Sequence, residues 1–196
     1  MFELKILGVF EASLFMKNGW PTRVVSIIDP NDEFKSHGKH HIVMQLHDIA
    51  SHINDSYITP TREHLEEILD FTKDLTHDDK LLVHCHMGVS RSTAIACGIL
   101  IQHGMSYEEA YEHVRSVRDC LLPNTLFVKY IDDKFGFNGK FVEFILSNRT
   151  PDIQLRVNKM IKTDVKANVF HMKDVLAKLR SLDEEEKRIL DIDNAS

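Results

Sequence analysis

The residues with the clearest chemical capacity lie in one run, Leu81-Leu82-Val83-His84-Cys85-His86-Met87-Gly88-Val89-Ser90-Arg91-Ser92-Thr93-Ala94. Cys85 offers a thiol nucleophile. Arg91, six positions later, offers a planar guanidinium fork that grips two oxygens of a phosphate at once, which a lysine ammonium cannot do. Between them, Gly88 supplies backbone freedom where a side chain would crowd a ligand. A curved loop over residues 86 to 91 turns the N–H groups of His86, Met87, Gly88, Val89, Ser90 and Arg91 toward one centre, and a following helix adds its own unpaired N–H groups and dipole. Phosphate fits such a cradle. The same field favours the thiolate of Cys85, so a nucleophile is expected at neutral pH. Ser92 is placed to donate a hydrogen bond to the sulfur and help it leave, and His84 reads as a residue that orders the loop rather than one that exchanges protons with substrate.

A buried strand must lead into this loop and an apolar helix must follow it. The apolar runs at Lys80 to His84 and Ala94 to Ile101 supply both. Upstream, Lys5 to Val9, Arg23 to Ile28 and His41 to Leu46 are short β-branched runs ending at turn or polar residues, and predict three more strands. Thr59 followed by Pro60 resembles a helix cap with proline in the first turn, ahead of Leu65, Ile68, Leu69 and Leu75 on an apolar face. Ser106 with Glu109 is a capping box ahead of Ala110, Tyr111, Val114 and Val117. A further helix, carrying Leu126, Phe127, Tyr130 and Ile131, follows Pro123. The expected architecture is α/β in three layers: a mostly parallel central sheet flanked by helices, with the cysteine loop at a helix amino terminus and a helical carboxyl-terminal extension. Two parts are expected, residues 1–150 as a catalytic domain and 151–196 as a helical extension packed on or beside it.

The whole chain restricts the alternatives. It has 196 residues, 43% hydrophobic and 28% charged, with three cysteines at 85, 97 and 120 that form neither an even disulfide framework nor a CxxC pair. A reducing, cytoplasmic setting is expected, with Cys97 and Cys120 as small core hydrophobes. The longest apolar run, Ala94 to Ile101, is far short of a membrane span, and the start MFELKILGVF lacks the basic n-region of a secretory signal. The net charge of −6 argues against nucleic-acid or acidic-membrane partners, and all of it falls in the first 150 residues because the tail is balanced. Oligomeric state is not specified by any of these features. Twelve histidines invite a metal reading, in which His84-x-His86 or the group His37, His40, His41 and His47 would be ligands. The chain is too short for the barrel that normally carries the first pattern, and His37 to His41 reads as a solvated loop. No metal and no cofactor is expected. A rhodanese-like sulfurtransferase also places a cysteine loop at a helix end, but its loop lacks this spacing.

HCHMGVSRS resembles the HCx5R(S/T) signature of the protein tyrosine phosphatase superfamily, and its GxSRS portion is most similar to the dual-specificity branch. VVSIIDP, QLHDI and PTREHLEEILDF resemble the strand, acid loop and helix of compact bacterial members. The resemblance spans roughly residues 1 to 135. It implies a cysteinyl-phosphate intermediate: Cys85 attacks phosphorus, Arg91 holds the equatorial oxygens, and an aspartate protonates the leaving group and later activates water. Asp48, directly after the third predicted strand, is favoured for that role; Asp55, nearer the following helix, is the alternative. The implied activity is hydrolysis of phosphotyrosine, and of phosphoserine and phosphothreonine, in protein substrates. Phosphatases of a phosphoinositide, a nucleotide or an RNA 5′ end are the alternatives within the enzyme class, and a phosphate-binding pseudophosphatase is the alternative outside it.

Overall fold

The computed structural model describes residues 1–30, 32, 38–50, 56–150, 153, 155, 156 and 159. Two compact units make up the chain, Met1–Val157 and Asn158–Ser196, and every strand and helix named here belongs to the first. In order they are β1 (Glu3–Gly8), α1 (Val9–Lys17), β2 (Arg23–Ile28), β3 (His41–Gln45), α2 (Arg62–Thr72), β4 (Lys80–Cys85), α3 (Arg91–Gln102), α4 (Tyr107–Val117), α5 (Thr125–Phe135) and α6 (Lys140–Ser147).

The four strands form one parallel sheet in the order β1-β4-β2-β3. Strand β4 is therefore internal, with β1 on one side and β2 on the other, and its carboxyl end delivers Cys85 at a central position. Alternation along the strands divides the apolar residues between two faces. Leu81, Val83 and Cys85 join the large core, which also takes in Leu65, Ile68, Ile95, Ile99 and Phe127 from α2, α3 and α5. Leu82 points the other way and packs with Val24 and Ala12, the last from α1. Helix α1 thus covers one face while the remaining helices build on the other, giving the expected three layers.

The elements depart from the sequence reading at four places. Helix α1 was not expected, because Phe10 and Leu14 lie on its exposed side, 57% and 64% accessible, and blur the apolar stripe. Helix α6 was also not expected. Thr59 is not the cap of α2: Thr61 is, its hydroxyl accepting from the His64 amide while His64 Nδ1 accepts from the Thr61 amide. Pro60 accordingly precedes the cap rather than occupying the first turn, and Leu75, buried, lies beyond the helix end. His41 is not part of a solvated loop either; it is 7% exposed and opens β3, where strand pairing to Val24 draws it inward. The capping box of Ser106 and Glu109 stands at the start of α4 as read from sequence. In the tail, the described positions Ile153, Leu155, Arg156 and Lys159 are helical; the rest of the extension, like His37 and Asp55, lies outside the described residues.

Candidate active site

Cys85 ends β4, Arg91 begins α3, and residues 86–90 cross between them at the carboxyl edge of the sheet. What shapes this loop is the fate of its carbonyls. The amide of Val9 donates to His86 O at 3.0 Å, and the Leu122 and Asn124 amides donate to Val89 O at 2.9 Å and Ser90 O at 3.2 Å. Arg118 donates from Nη2 to Met87 O at 2.9 Å and from Nε to Gly88 O at 3.1 Å. All five carbonyls are thus held from outside, and a peptide whose carbonyl is drawn outward presents its N–H inward. The Gly88 amide shows the result, donating to Cys85 Sγ at 3.2 Å.

Gly88 is required twice over. Its φ of +70° lies in the left-handed region, and a Cβ there would stand 2.5 Å from the Leu7 carbonyl carbon. The loop is pressed against β1, whose Gly8 pairs with Cys85. At the far end, Ser90 occupies the cap position of α3 without capping it by its side chain, so the first turn keeps its amides for a ligand. The Ser90 hydroxyl instead donates to Asp48 Oδ1 at 2.8 Å.

The predicted site residues converge. Cys85 is 2% exposed and its Sγ lies 3.2 Å from Ser92 Oγ. Arg91, 3% exposed, donates from Nη1 to Asp29 Oδ1 at 2.7 Å and to Leu46 O at 2.6 Å, and its Nε stands 3.8 Å from Asp48 Oδ2. These partners balance a buried positive charge that would otherwise be costly. Asp48 follows β3 and receives a second hydrogen bond on Oδ1, from Asn124 Nδ2 at 2.9 Å. Asn124 also donates to Ile49 O at 3.1 Å, while its side-chain oxygen accepts the Leu126 and Phe127 amides and caps α5. Next to Asp48, His47 and Ile58 exchange hydrogen bonds: the His47 amide donates to Ile58 O, and the Ile58 amide to His47 Nδ1.

Sequence reading missed Asp29, Arg118 and Asn124. Asp29 sits in SIIDP directly after β2, Arg118 just after α4, and Asn124 beside the proline that precedes α5; a polar residue at the carboxyl edge of a strand or at a helix cap is the only local sign of each. The HxH metal reading fails on geometry: His84 is buried on the face under α1, where its Nε2 meets Ser26 Oγ at 2.5 Å. Asp29, Asp32 and His86 do bring one ligand atom each within 4.8 Å of one another. Asp29 is already committed to Arg91, and exposed acids at this spacing do not by themselves assign a metal. The three cysteines are all free and buried, and burial pushes Cys97 up to about 12, as expected of a core filler.

A family model for the dual specificity phosphatase catalytic domain matches residues 22–134, more than half of the chain. The chain belongs to this family. Among curated relatives, a probable rhodanese domain-containing dual specificity protein phosphatase of Dictyostelium discoideum is 36% identical over 73 residues, 36% of this chain and 15% of that protein. Dual specificity protein phosphatase 5 of Rattus norvegicus is 30% identical over 94 residues, 47% of this chain and 22% of its own length. The chain therefore spans under a quarter of either relative. Among solved structures, the Yvh1 phosphatase domain from Chaetomium thermophilum superposes with a TM-score of 0.52 at 23% identity, covering 70% of this chain and 92% of that domain. That likeness concerns the fold. No helix among the described residues is long and apolar enough to cross a membrane.

Proposed function

We propose that this chain is a protein phosphatase hydrolysing phosphotyrosine, with phosphoserine and phosphothreonine as further substrates, through a cysteinyl-phosphate intermediate. The observation that carries the reading is the loop whose five carbonyls are bonded outward around Cys85 and Arg91. Inward amides, the open end of α3 and the Arg91 fork together suit the three terminal oxygens of a phosphate ester. In the first step Cys85 Sγ attacks phosphorus, the bond to the leaving oxygen breaks, and Asp48 delivers a proton to that oxygen. In the second, water attacks phosphorus, Asp48 takes its proton, and the phosphorus–sulfur bond breaks with Ser92 Oγ–H donating to the departing sulfur. Amides of His86, Met87, Gly88, Val89 and Ser90 line the anion site, with His84 in support. No step calls for a metal or cofactor.

The catalytic domain is assigned to residues 1–150 and a helical extension to 151–196, a reading supported by the helical positions at 153, 155, 156 and 159. Three free cysteines and no membrane-length helix among the described residues support a cytoplasmic setting with phosphorylated proteins as partners.

Turnover of a small aryl phosphate tests the reading. Activity should be blocked by vanadate, unaffected by chelators and abolished by Cys85→Ser. Asp48→Asn should lower kcat by about a hundredfold and remove the basic limb of the pH profile, as loss of a general acid does. Retained turnover in Cys85→Ser would defeat the mechanism. Phosphopeptide binding without turnover in the unaltered protein would make it a binding module, and a loss confined to Asp55→Asn would move the acid role there.

A further inference from the structure

The match to the family ends at residue 134, and the turn after α6 returns to the segment that holds the catalytic loop. Helix α6 is fixed to the core. Phe141 and Ile145 are buried, and the buried carboxylate of Asp132 accepts the amides of Gly139 at 2.6 Å, Phe141 at 2.8 Å and Val142 at 3.2 Å. Just past the helix, the Arg149 amide donates to Leu146 O at 3.2 Å and closes the turn from which its side chain departs. Arg149 Nη2 then donates to Pro123 O at 2.9 Å.

Pro123 O and the Asn124 N–H belong to one peptide group. The bond is trans, so the two point in opposite directions from one rigid plane. Arg149 holds the oxygen side, while the N–H side donates to Ser90 O at 3.2 Å. Ser90 O takes two further donors, the Ala94 amide at 3.1 Å and the Thr93 hydroxyl at 2.9 Å, so the bond from Asn124 is the longest of three and depends most on the tilt of that plane. A charged donor on the carbonyl makes a bond roughly twice as strong as a neutral one, and it polarises the peptide so that the opposite N–H donates better. The same plane sets where the Asn124 side chain begins, and that side chain donates to Asp48 Oδ1 at 2.9 Å. Through Asn124, Arg149 thus bears on the loop and on the acid together. A second tether, Arg156 to Asp119, joins side chains that are 47% and 76% exposed, and an ion pair so exposed contributes little.

We infer that Arg149 is a positioning residue for the site, fixing the Pro123–Asn124 peptide so that Asn124 meets Ser90 O and Asp48 at once. It acts through Asn124 and not on the substrate. The bond to Pro123 uses one N–H, so a lysine ammonium can supply it, unlike at Arg91, where a fork must grip two phosphate oxygens. The effect on rate rests on the phosphatase reading; the effect on the Asn124 amide does not.

Amide proton spectra and steady-state kinetics of the full chain test it. In Arg149→Met, which drops the donors, the Asn124 amide proton should move upfield as its bond to Ser90 weakens. On a small aryl phosphate, kcat should fall about fivefold with little change in KM, the mark of a mispositioned reacting group. The basic limb of the pH profile should persist because Asp48 is still present, which separates this variant from Asp48→Asn. Arg149→Lys should restore both readings, and Arg156→Gln should match the unaltered protein in both. An unmoved Asn124 amide in Arg149→Met would overturn the inference, as would a moved amide with parental kcat, or an Arg149→Lys no better than Arg149→Met. Arg149→Gln, too short to reach Pro123, supplies the same readings if Arg149→Met does not fold. Absent aryl-phosphate turnover in the unaltered protein would defeat the function proposed above, while the Asn124 amide still decided whether Arg149 holds the peptide.

Discussion

A neutral imidazole locked into a sheet makes the fold itself sensitive to acid. His84 is held at about 4 in the folded chain against an ordinary 6.5, so as pH falls it is the unfolded chain that takes up the proton first. Its contribution to stability is complete above 6.5, declines between 6.5 and 4, and changes no further below that. At pH 5 the loss from this group alone should be about 2 kcal/mol relative to pH 8. Urea unfolding at the two pH values measures the decline, and a His84 ring titrating near 6.5 in the folded protein would contradict it. At this scale the sequence was informative where chemistry is contiguous. Cys85, Arg91 and Ser92 stand together in one run and could be read from their spacing. Asp29 reaches Arg91 across 62 positions, Asn124 reaches Asp48 across 76 and Arg118 reaches Gly88 across 30, and no local pattern announces such meetings.

Elements place these residues by their ends. Strand β4 and helix α3 define the loop, the end of β3 presents Asp48, and the start of α5 presents Asn124. One amide side chain therefore joins two tasks: its oxygen caps α5 while its nitrogen steadies the acid. Asn124→Ser should separate them. Serine caps a helix about as well as asparagine, so unfolding free energy should change by less than about 1 kcal/mol. The shorter hydroxyl leaves the bonds to Asp48 and Ile49 unmade, and kcat should fall about tenfold through lost positioning of the acid. Thermal unfolding and steady-state kinetics on one preparation check both halves; equal losses of stability and rate would show a single, structural role. Strands were the most legible elements because short β-branched runs leave few alternatives. Helix α1 was illegible because Phe10 and Leu14 face solvent, and the start of α2 was misplaced because a proline beside two threonines permits either cap.

Over the whole molecule, a net charge of −6 accompanies the site proposed to hold an anion. Inward amides, a helix end and Arg91 make the loop locally positive, whereas Asp29 and Asp48 bring negative charge to its rim. Phosphosites flanked by lysine or arginine should therefore show a lower KM than those flanked by acids, with the difference shrinking as salt rises. Paired phosphopeptides of opposite flanking charge, assayed at low and high ionic strength, measure this; a preference indifferent to salt would point to shape instead. Arg91 is also bonded to the carbonyl of Leu46, two residues before Asp48. An anion held by the remaining N–H groups of the guanidinium shares that side chain with the Leu46 carbonyl, so ligand occupancy and the setting of the loop segment around Asp48 would share one free-energy coupling. Coupling of this kind is reciprocal: whatever fixes the loop in its working position raises affinity for phosphate, and to the same degree phosphate fixes the loop.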